Sequence, residues 1–384
     1  MRRAKGFIQS SRIEIERRYK VRTKHVRSAL LSVLIVASLI VIPSSIIAMT
    51  SRTASANPSP ENFVIVVLPD TQNYSQSYPS VFENQTEWIV QHKDEYNIVF
   101  VTHLGDIVNV NNSDYQWQNA NSAMSILDGK VPYGILPGNH DEDGGYSPQY
   151  GAGATYYEQY FPASRYTGYS YWGGSYDHDA VGSLSPNMNN YQLFTWGGMD
   201  FITLSLQYNP TTDVLAWADN VLSTYSDRRA IVSTHSYLNT DGTFASNGGA
   251  AIWYNVVVPE NNVFLVLCGH EFGSSGFGVW KKIDNLDNGN RTVYQLLSDY
   301  QGLANGGDGY LRIMEFVPSE NTIYVKTYSP YLNNYMTDSA NQFALYYPMS
   351  PTATTAGGIS PWVYVGTVIV IVVIIATILI LKPF

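Results

Sequence analysis

Six short runs of consecutive apolar residues are spread along the middle of the chain. Continuous apolar runs of this length are typical of strands that are covered on both faces, as in a sheet between two packed layers. The runs are FVIVVL (63–68), IVFVTHL (98–104), YGIL (133–136), FITLSL (201–206), AIVST (230–234) and VFLVL (263–267).

Segments in which apolar residues recur at helical spacing lie between these runs, and the alternation predicts an α/β domain over residues 61–347. Toward its end, TVYQLL, YLRIMEFV and TIYVKTYS alternate apolar and polar positions and predict antiparallel strands. Residues 141–195 are rich in Gly and Tyr and predict a long irregular insertion. The predicted helices cover 81–96, 115–127, 214–225 and 250–257.

Two uncharged apolar runs flank the predicted domain, and each is long enough to cross a bilayer, which takes roughly 20 apolar residues. Residues 362–381 predict a transmembrane helix. Residues 29–49 predict either a transmembrane anchor or a signal peptide, because the sequence ASA at 54–56 resembles a cleavage site. Polar linkers at 50–60 and 348–361 join the two runs to the domain.

Charge is unevenly divided along the chain. The first 29 residues hold ten of the 22 basic side chains and two of the 31 acidic ones, which leaves 12 basic and 29 acidic side chains in the rest. By the positive-inside rule, the basic segment 1–28 is expected in the cytoplasm and residues 61–347 outside the cell membrane. A nucleic-acid-binding arm is the alternative for the basic segment, but the acidic remainder argues against general nucleic-acid binding. The only cysteine, Cys268, excludes an internal disulfide.

Polar side chains follow five of the apolar runs, at the point where each predicted strand ends. Since the carboxyl ends of parallel strands meet at one edge of a sheet, we expect these side chains to converge. Any one of them alone could be a turn residue. Carboxylate, imidazole and amide oxygen together suit Zn, Mn, Fe or similar ions. The residues are Asp70, Gln72, His103, Asp106, Asn139, His140, Asp141, His235, His270 and Glu271.

The order D-x-[HQ], GD, GNH[DE], H and GH resembles the calcineurin-like metallophosphoesterases, and the resemblance extends over about 61–347. LPDTQ (68–72), LGDIV (104–108) and PGNHD (137–141) resemble in particular a secreted or membrane-anchored branch with D-T-Q in its first motif. The resemblance implies a four-layer αββα sandwich that hydrolyses a phosphomonoester or phosphodiester with one or two divalent metal ions. The substrate would be a phosphate ester, and the chain would also contact the membrane through its anchors.

The resemblance also implies which residues hold the ions, with the GD aspartate, Asp106, as the bridge between them. The second histidine of the family's GHxH motif is replaced by Phe272, which cannot bind a metal. One ion is therefore expected to be tightly held and the other weakly held and exchangeable. The ligands carried over from the family for the tightly held ion are Asp106, Asn139, His235 and His270. Those carried over for the weaker ion are Asp70, Gln72 and Asp106.

In the family, the GNH histidine protonates the leaving group and pairs with an acid three residues beyond the GD aspartate. These positions are His140 and Asn109, so an amide here replaces the acid. His103 lies near the site and is interpreted as a residue of the core at a strand end. The changes at Asn109 and Phe272 leave an alternative open, namely a catalytically impaired surface module for binding or adhesion.

Overall fold

The computed structural model describes residues 61–176 and 186–349. Within these ranges, no helix is both long enough and apolar enough to cross a membrane. Several predicted segments lie outside the described residues. They are the basic segment 1–28, the apolar run 29–49, the linker 50–60, nearly all of the linker 348–361, and the apolar run 362–381.

The first sheet contains the strands that precede the GD and GNHD sequences. Its strands are β1 (Phe63–Leu68), β2 (Ile98–His103), β3 (Tyr133–Gly134), β11 (Leu311–Val317), β12 (Thr322–Ser329), β13 (Asn334–Met336) and β14 (Phe343–Tyr346). Their spatial order is β13-β12-β11-β1-β2-β3, and β14 also pairs with β12. Because β1, β2 and β3 are parallel, their carboxyl ends lie at the same edge.

The second sheet contains the strands that precede the two later histidines. Its strands are β4 (Trp172–Ser175), β5 (Asn190–Trp196), β6 (Met199–Leu206), β7 (Arg229–Thr234), β8 (Val263–Cys268), β9 (Gly278–Leu286) and β10 (Arg291–Asp299). They are arranged in the order β4-β5-β6-β7-β8-β10-β9. Strands β6, β7, β8 and β10 are mutually parallel neighbours, whereas β9 is antiparallel to β10.

Helices connect the strands and cover the outer faces of the sheets. In α2, Pro79 occupies the first turn, where a missing N–H costs nothing, and Phe82 and Ile89 are buried. The side chain of Thr211 caps α5 by accepting a hydrogen bond from the Val214 N–H. The helices are α1 (Gln72–Ser77), α2 (Pro79–His92), α3 (Asp114–Ser125), α4 (Thr155–Tyr160), α5 (Thr212–Thr224) and α6 (Gly249–Ile252), which continues as a π-helical turn (Trp253–Val257).

Three apolar clusters hold the layers together. The inner cluster lies between the two sheets and joins Phe63 and Phe100 of the first sheet to Phe201 and Leu265 of the second. A second cluster packs α1 to α4 on the outer face of the first sheet, and a third packs α5 and α6 on the outer face of the second. Both faces of the central strands are therefore buried, which explains why those strands read as unbroken apolar runs. The predicted α/β sandwich with two sheets is confirmed.

The prediction of an irregular insertion over 141–195 is wrong in part. Among its described residues, this region contains α4, a 3₁₀ turn at Ala163–Arg165, the strand β4 and the start of β5. Its Tyr side chains supply much of the packing, since Tyr157 and Tyr166 are fully buried. The short strands were hidden because Gly and Tyr obscure the period-2 pattern. The expectation that TVYQLL is simply antiparallel is also incomplete, because β10 pairs in parallel with β8.

Candidate metal centre

The turn after β2 and the loop after β3 are tied together by one buried carboxylate. Asp141 accepts hydrogen bonds from the main-chain N–H groups of Ile107 (2.9 and 3.0 Å to its two oxygens), Val108 (2.9 Å) and Gly138 (2.8 Å). Burial and the nearby carboxylate of Asp106 raise the pKa of Asp141 to about 7, while the hydrogen bonds from these three N–H groups favour the ionised form. The carboxylate therefore fixes the position of Asp106, the residue immediately before Ile107. Asp141 belongs to the PGNHD motif, but nothing in the sequence indicated that it would hold the two loops together.

Gly138 is required because the backbone passes close to the site. A Cβ atom at this position would collide with the side chain and main-chain nitrogen of Asp106 and would press against His235 Nε2. Asp106 itself has a left-handed backbone conformation (φ 49°), and so does the preceding Gly105 (φ 90°). The tight turn and the missing side chain together let the loops after β2 and β3 approach each other.

Four predicted ligand side chains meet around one nitrogen atom. His235 Nε2 lies 3.0 Å from Asn139 Oδ1, 3.0 Å from His270 Nδ1 and 3.3 Å from Asp106 Oδ1. The other ring nitrogen, Nδ1, lies 2.9 Å from the carbonyl oxygen of Leu104, which can only accept. Nδ1 must therefore carry a hydrogen, so Nε2 is the ring nitrogen that faces the cluster and that would bind a metal ion once its proton is lost. The donor set fits a divalent ion.

The charges of these groups also suit a cation. Burial raises the pKa of Asp106, but His235 and the other nearby histidines outweigh it and lower the pKa to about 2. Burial lowers the pKa of His235, but Asp106 and Asp70 raise it to about 10. Burial and the neighbouring His235 lower the pKa of His270 to about 4. A metal ion bound here would displace the proton of His235, because an imidazole nitrogen must be unprotonated to bind a metal.

Asp70 and Gln72 follow β1, and the main-chain N–H of Thr71 between them donates to the carbonyl oxygen of Asp106 at 3.0 Å. The carboxylate of Asp70 accepts from the main-chain N–H of His270, at 3.3 and 3.1 Å for its two oxygens. Burial raises the pKa of Asp70 well above its usual value, and the nearby carboxylate of Asp299 raises it further. Gln72 Oε1 is buried and accepts no hydrogen bond from the described residues. Crowded carboxylates and an unsatisfied oxygen are the features that a bound cation would stabilise.

Phe272 does not contribute to the centre and is 47% exposed. Two residues that the sequence interpretation missed, Asp299 and Gln301, lie against Asp70 instead. The signal was present in the sequence LSDYQ, where polar residues follow an apolar run as they do at the other strand ends. It was overlooked because β10 was expected to belong only to an antiparallel ribbon.

His140 is held at the edge of the cluster by two hydrogen bonds. Its main-chain N–H donates to Asp106 Oδ1 (2.9 Å), and its ring Nδ1 lies 2.8 Å from the carbonyl oxygen of Asn109. The main chain of Asn109, not the side chain that the sequence singled out, thus orients the imidazole. The main-chain N–H groups of Asn109 and Val110 are held in turn by Gln116 Oε1, at 2.8 and 3.0 Å. Nε2 remains as the ring atom that can exchange a proton.

Both ring nitrogens of His103 form hydrogen bonds with groups outside the cluster of predicted metal ligands. Nε2 lies 2.9 Å from Thr71 Oγ1, and Nδ1 accepts from the main-chain N–H of Gly105 at 3.1 Å. Burial lowers the pKa of this imidazole to about 3, so the ring is neutral. These contacts agree with its interpretation as a core residue at a strand end.

Two tyrosines that were not predicted lie beside the cluster. The ring of Tyr146 meets that of His140 edge to face at a centroid distance of 5.3 Å, and Tyr146 is 76% exposed. The ring of Tyr208 lies 5.6 Å from that of His270. Tyr146 lies ten residues beyond the predicted strand 133–136 and Tyr208 two residues beyond the predicted strand 201–206, and the sequence interpretation named neither of them. They give the open side of the centre an aromatic border.

A sandwich of two sheets that brings carboxylate, amide and imidazole side chains together at its strand ends is the architecture of a metallophosphoesterase domain. The family model for the calcineurin-like phosphoesterases matches residues 63–273, and the chain belongs to this family. Enzymes of this family use divalent metal ions.

Similar proteins are found in several organisms. YvnB, an uncharacterized protein of Bacillus subtilis (strain 168), is 36% identical over 309 residues, which is 77% of this chain but only 22% of that protein. The purple acid phosphatase from yellow lupin (Lupinus luteus) seeds is 12% identical with a TM-score of 0.49, covering 76% of this chain and 55% of that one. GAP50, the anchor in the inner membrane complex of Plasmodium, is 13% identical with a TM-score of 0.44, covering 76% and 90%.

Proposed function

We propose that this chain hydrolyses a phosphomonoester or phosphodiester with His140 as the general acid. The observation that carries the proposal is the position of His140, which is bonded to Asp106 through its main chain and follows the predicted ligand Asn139 directly. A proton donor at this place is adjacent to the predicted metal ligands without being one of them. The sequence LPDTQ supports membership of the branch with D-T-Q in its first motif.

The chemistry divides between the ions and the side chains. When bound, divalent ions polarise the phosphoryl group and lower the pKa of water. Asp106, Asn139, His235 and His270 would hold one of the ions. The neutral amide of Asn139 limits the negative charge beside an anionic substrate. The carbonyl of Asn109 keeps a hydrogen on Nδ1 of His140, so Nε2 of the imidazolium donates its proton to the leaving-group oxygen.

The border of tyrosines favours substrates with a ring near the ester. Tyr146 is exposed and lies against His140, the proposed donor to the leaving group. Aromatic side chains stack on bases and sugars with little dependence on sequence or substituent. A nucleotide or a phosphosugar therefore suits this border better than a small aliphatic ester does.

The experiment that tests this function combines metal analysis with a panel of phosphate esters. The purified full-length chain, loaded with Zn²⁺, Mn²⁺ or Fe²⁺, is assayed on mono- and diesters with aromatic, sugar and alkyl leaving groups. Turnover that disappears in Asp106→Asn would support the proposal. Full metal content with no turnover on any ester would instead favour the surface binding module, which Phe272 and Asn109 motivate.

The proposed location is the cell membrane, with the catalytic domain on its outer side. Ten basic residues before the run 29–49 favour a cytoplasmic N-terminus, and the run 362–381 has the length and composition of a C-terminal anchor. Protease added to intact cells should degrade residues 61–347. Protection of that region in intact cells, with digestion after lysis, would contradict the external location.

A further inference from the structure

Two buried glutamines, Gln72 and Gln301, lie beside Asp70 and are 6% and 5% exposed. Gln72 begins α1, and Gln301 follows Asp299, the last residue of β10. Because β10 runs parallel to β8, its carboxyl end reaches the same edge as His270. The β10 loop is therefore a sixth strand end that contributes polar groups to the centre.

The amide of Gln301 has only one orientation that satisfies its neighbours. Its Nε2 donates to Asp299 Oδ2 (2.9 Å) and lies 3.3 Å from Asp70 Oδ2. Its main-chain N–H donates to Asp299 Oδ1 at 2.9 Å. The Asp299 carboxylate already accepts the main-chain N–H, so the side-chain nitrogen faces Asp299 as a second donor, and Oε1 faces away from it, toward Gln72.

Gln72 supplies the second observation that points to a ligand. Its amide nitrogen donates to Gln301 Oε1, while its own Oε1 is buried without a partner among the described residues. Rotating the Gln72 side-chain amide by 180° would place its Oε1 against the Oε1 of Gln301. Such a pairing is unfavourable without a positive charge between the oxygens, and it becomes favourable when a cation occupies that position.

We propose that Gln301 replaces the histidine missing at Phe272, and that Gln301, Gln72, Asp70 and Asp106 form a metal site with oxygen ligands only. Asp299 positions the Gln301 amide and does not bind the ion itself. An all-oxygen set prefers harder ions such as Mn²⁺ or Mg²⁺, whereas the His235 and His270 site suits Zn²⁺ or Fe²⁺. The centre thus binds two different ions. The inference concerns metal binding alone and holds whichever ester is hydrolysed.

The test titrates the metal-free, full-length chain with Mn²⁺ and counts bound ions by equilibrium dialysis and elemental analysis. Paramagnetic resonance serves as a second readout, since two neighbouring Mn²⁺ ions give a spin-coupled spectrum. The wild type should bind two ions of unequal affinity. Gln301→Leu should weaken the weaker ion by roughly 10–100-fold and abolish the coupled spectrum, while the tighter ion remains. Gln301→Glu keeps an oxygen ligand and should still bind two ions.

Gln295→Leu is the matched control, because Gln295 is a fully buried glutamine of β10, the strand that precedes Gln301, and bonds to Tyr237 and Asp284. This variant should bind both ions as the wild type does. Retention of the tighter ion in Gln301→Leu shows that the fold is intact. Two ions bound to Gln301→Leu with unchanged affinity, or a wild type that binds only one at any Mn²⁺ concentration, would overturn the proposal. No substrate is used, so inactivity toward esters leaves this result unaffected.

Discussion

The main-chain N–H of His140 donates to Oδ1 of Asp106 at 2.9 Å, and the same oxygen lies 3.3 Å from His235 Nε2. The main chain of His140 therefore helps to position the predicted bridging carboxylate, while its side chain has no part in the cluster of ligands. Replacing the side chain removes the imidazole but keeps the hydrogen bond to Asp106. Proton donation and metal binding are consequently separable by mutation at this one position.

His140→Ala should lose about 10²–10⁴-fold in kcat/KM on an alkyl phosphate, whose leaving group needs a proton. The loss on a nitrophenyl phosphate should be much smaller, because that group departs without protonation. Both rates are measured at matched metal content, which should equal that of the wild type. Equal losses on the two esters would contradict the assignment of His140 as the acid.

Asn109→Ala should change the alkyl-ester rate by less than about threefold, because a main-chain carbonyl orients the imidazole. Gln116→Ala should have a larger effect, since it removes the acceptor for two main-chain N–H groups that hold this carbonyl in place. Comparing the two variants on alkyl and nitrophenyl esters separates orientation from general damage. A large, alkyl-selective loss in Asn109→Ala alone would show that the side chain acts directly.

Mild chelation should remove one ion before the other. The set with His235 and His270 has two imidazole nitrogens, whereas the side with Asp70 and Gln72 has only oxygen donors, so we expect the latter to exchange first. Metal content after stepwise dialysis against a chelator measures this order. Asp106→Asn should lose metal and activity on every ester, because Asp106 is the predicted bridge. Two equally resistant ions per chain would contradict the expected asymmetry.

Asp141→Ala should lower the free energy of unfolding of the metal-free chain by about 2–4 kcal/mol, because it leaves three buried N–H groups without an acceptor. Asp143→Ala is the matched control: its half-buried carboxylate accepts from the main-chain N–H and the hydroxyl of Thr155 near the surface, and its loss should change the free energy of unfolding by less than about 0.5 kcal/mol. Urea denaturation of both variants measures the difference. Similar midpoints for the two would show that Asp141 does not hold the loops.

Tyr146→Ala should raise KM for a nucleoside or sugar phosphate about tenfold, since base–aromatic stacking contributes roughly 1–3 kcal/mol. It should leave KM for glycerol phosphate nearly unchanged, because that substrate has no ring. Tyr115→Ala changes another exposed tyrosine, 60% accessible on α3, and serves as the control. Equal effects of Tyr146→Ala on both substrates would rule out stacking as its function.

The sequence alone determined the strand cores and the residues that follow them. FVIVVL and VFLVLC are buried at every position. A strand that is covered on both faces must be apolar throughout, so such strands can be recognised from the sequence without a structure. Asp70, Asp106, Asn139 and His270 could be selected for the same reason, since each follows such a run. The composition of the ligand set was therefore accessible from local patterns.

Only the tertiary structure decided which groups share the centre with them. Gln301 is 229 residues from Gln72, and their contact depends on β10 lying parallel beside β8, a pairing that no local pattern encodes. The main-chain carbonyl of Asn109 orients His140, and this contact does not depend on which side chain stands at position 109. Strand pairing and backbone direction arise from packing over the whole domain, whereas apolar periodicity is a local property of the chain.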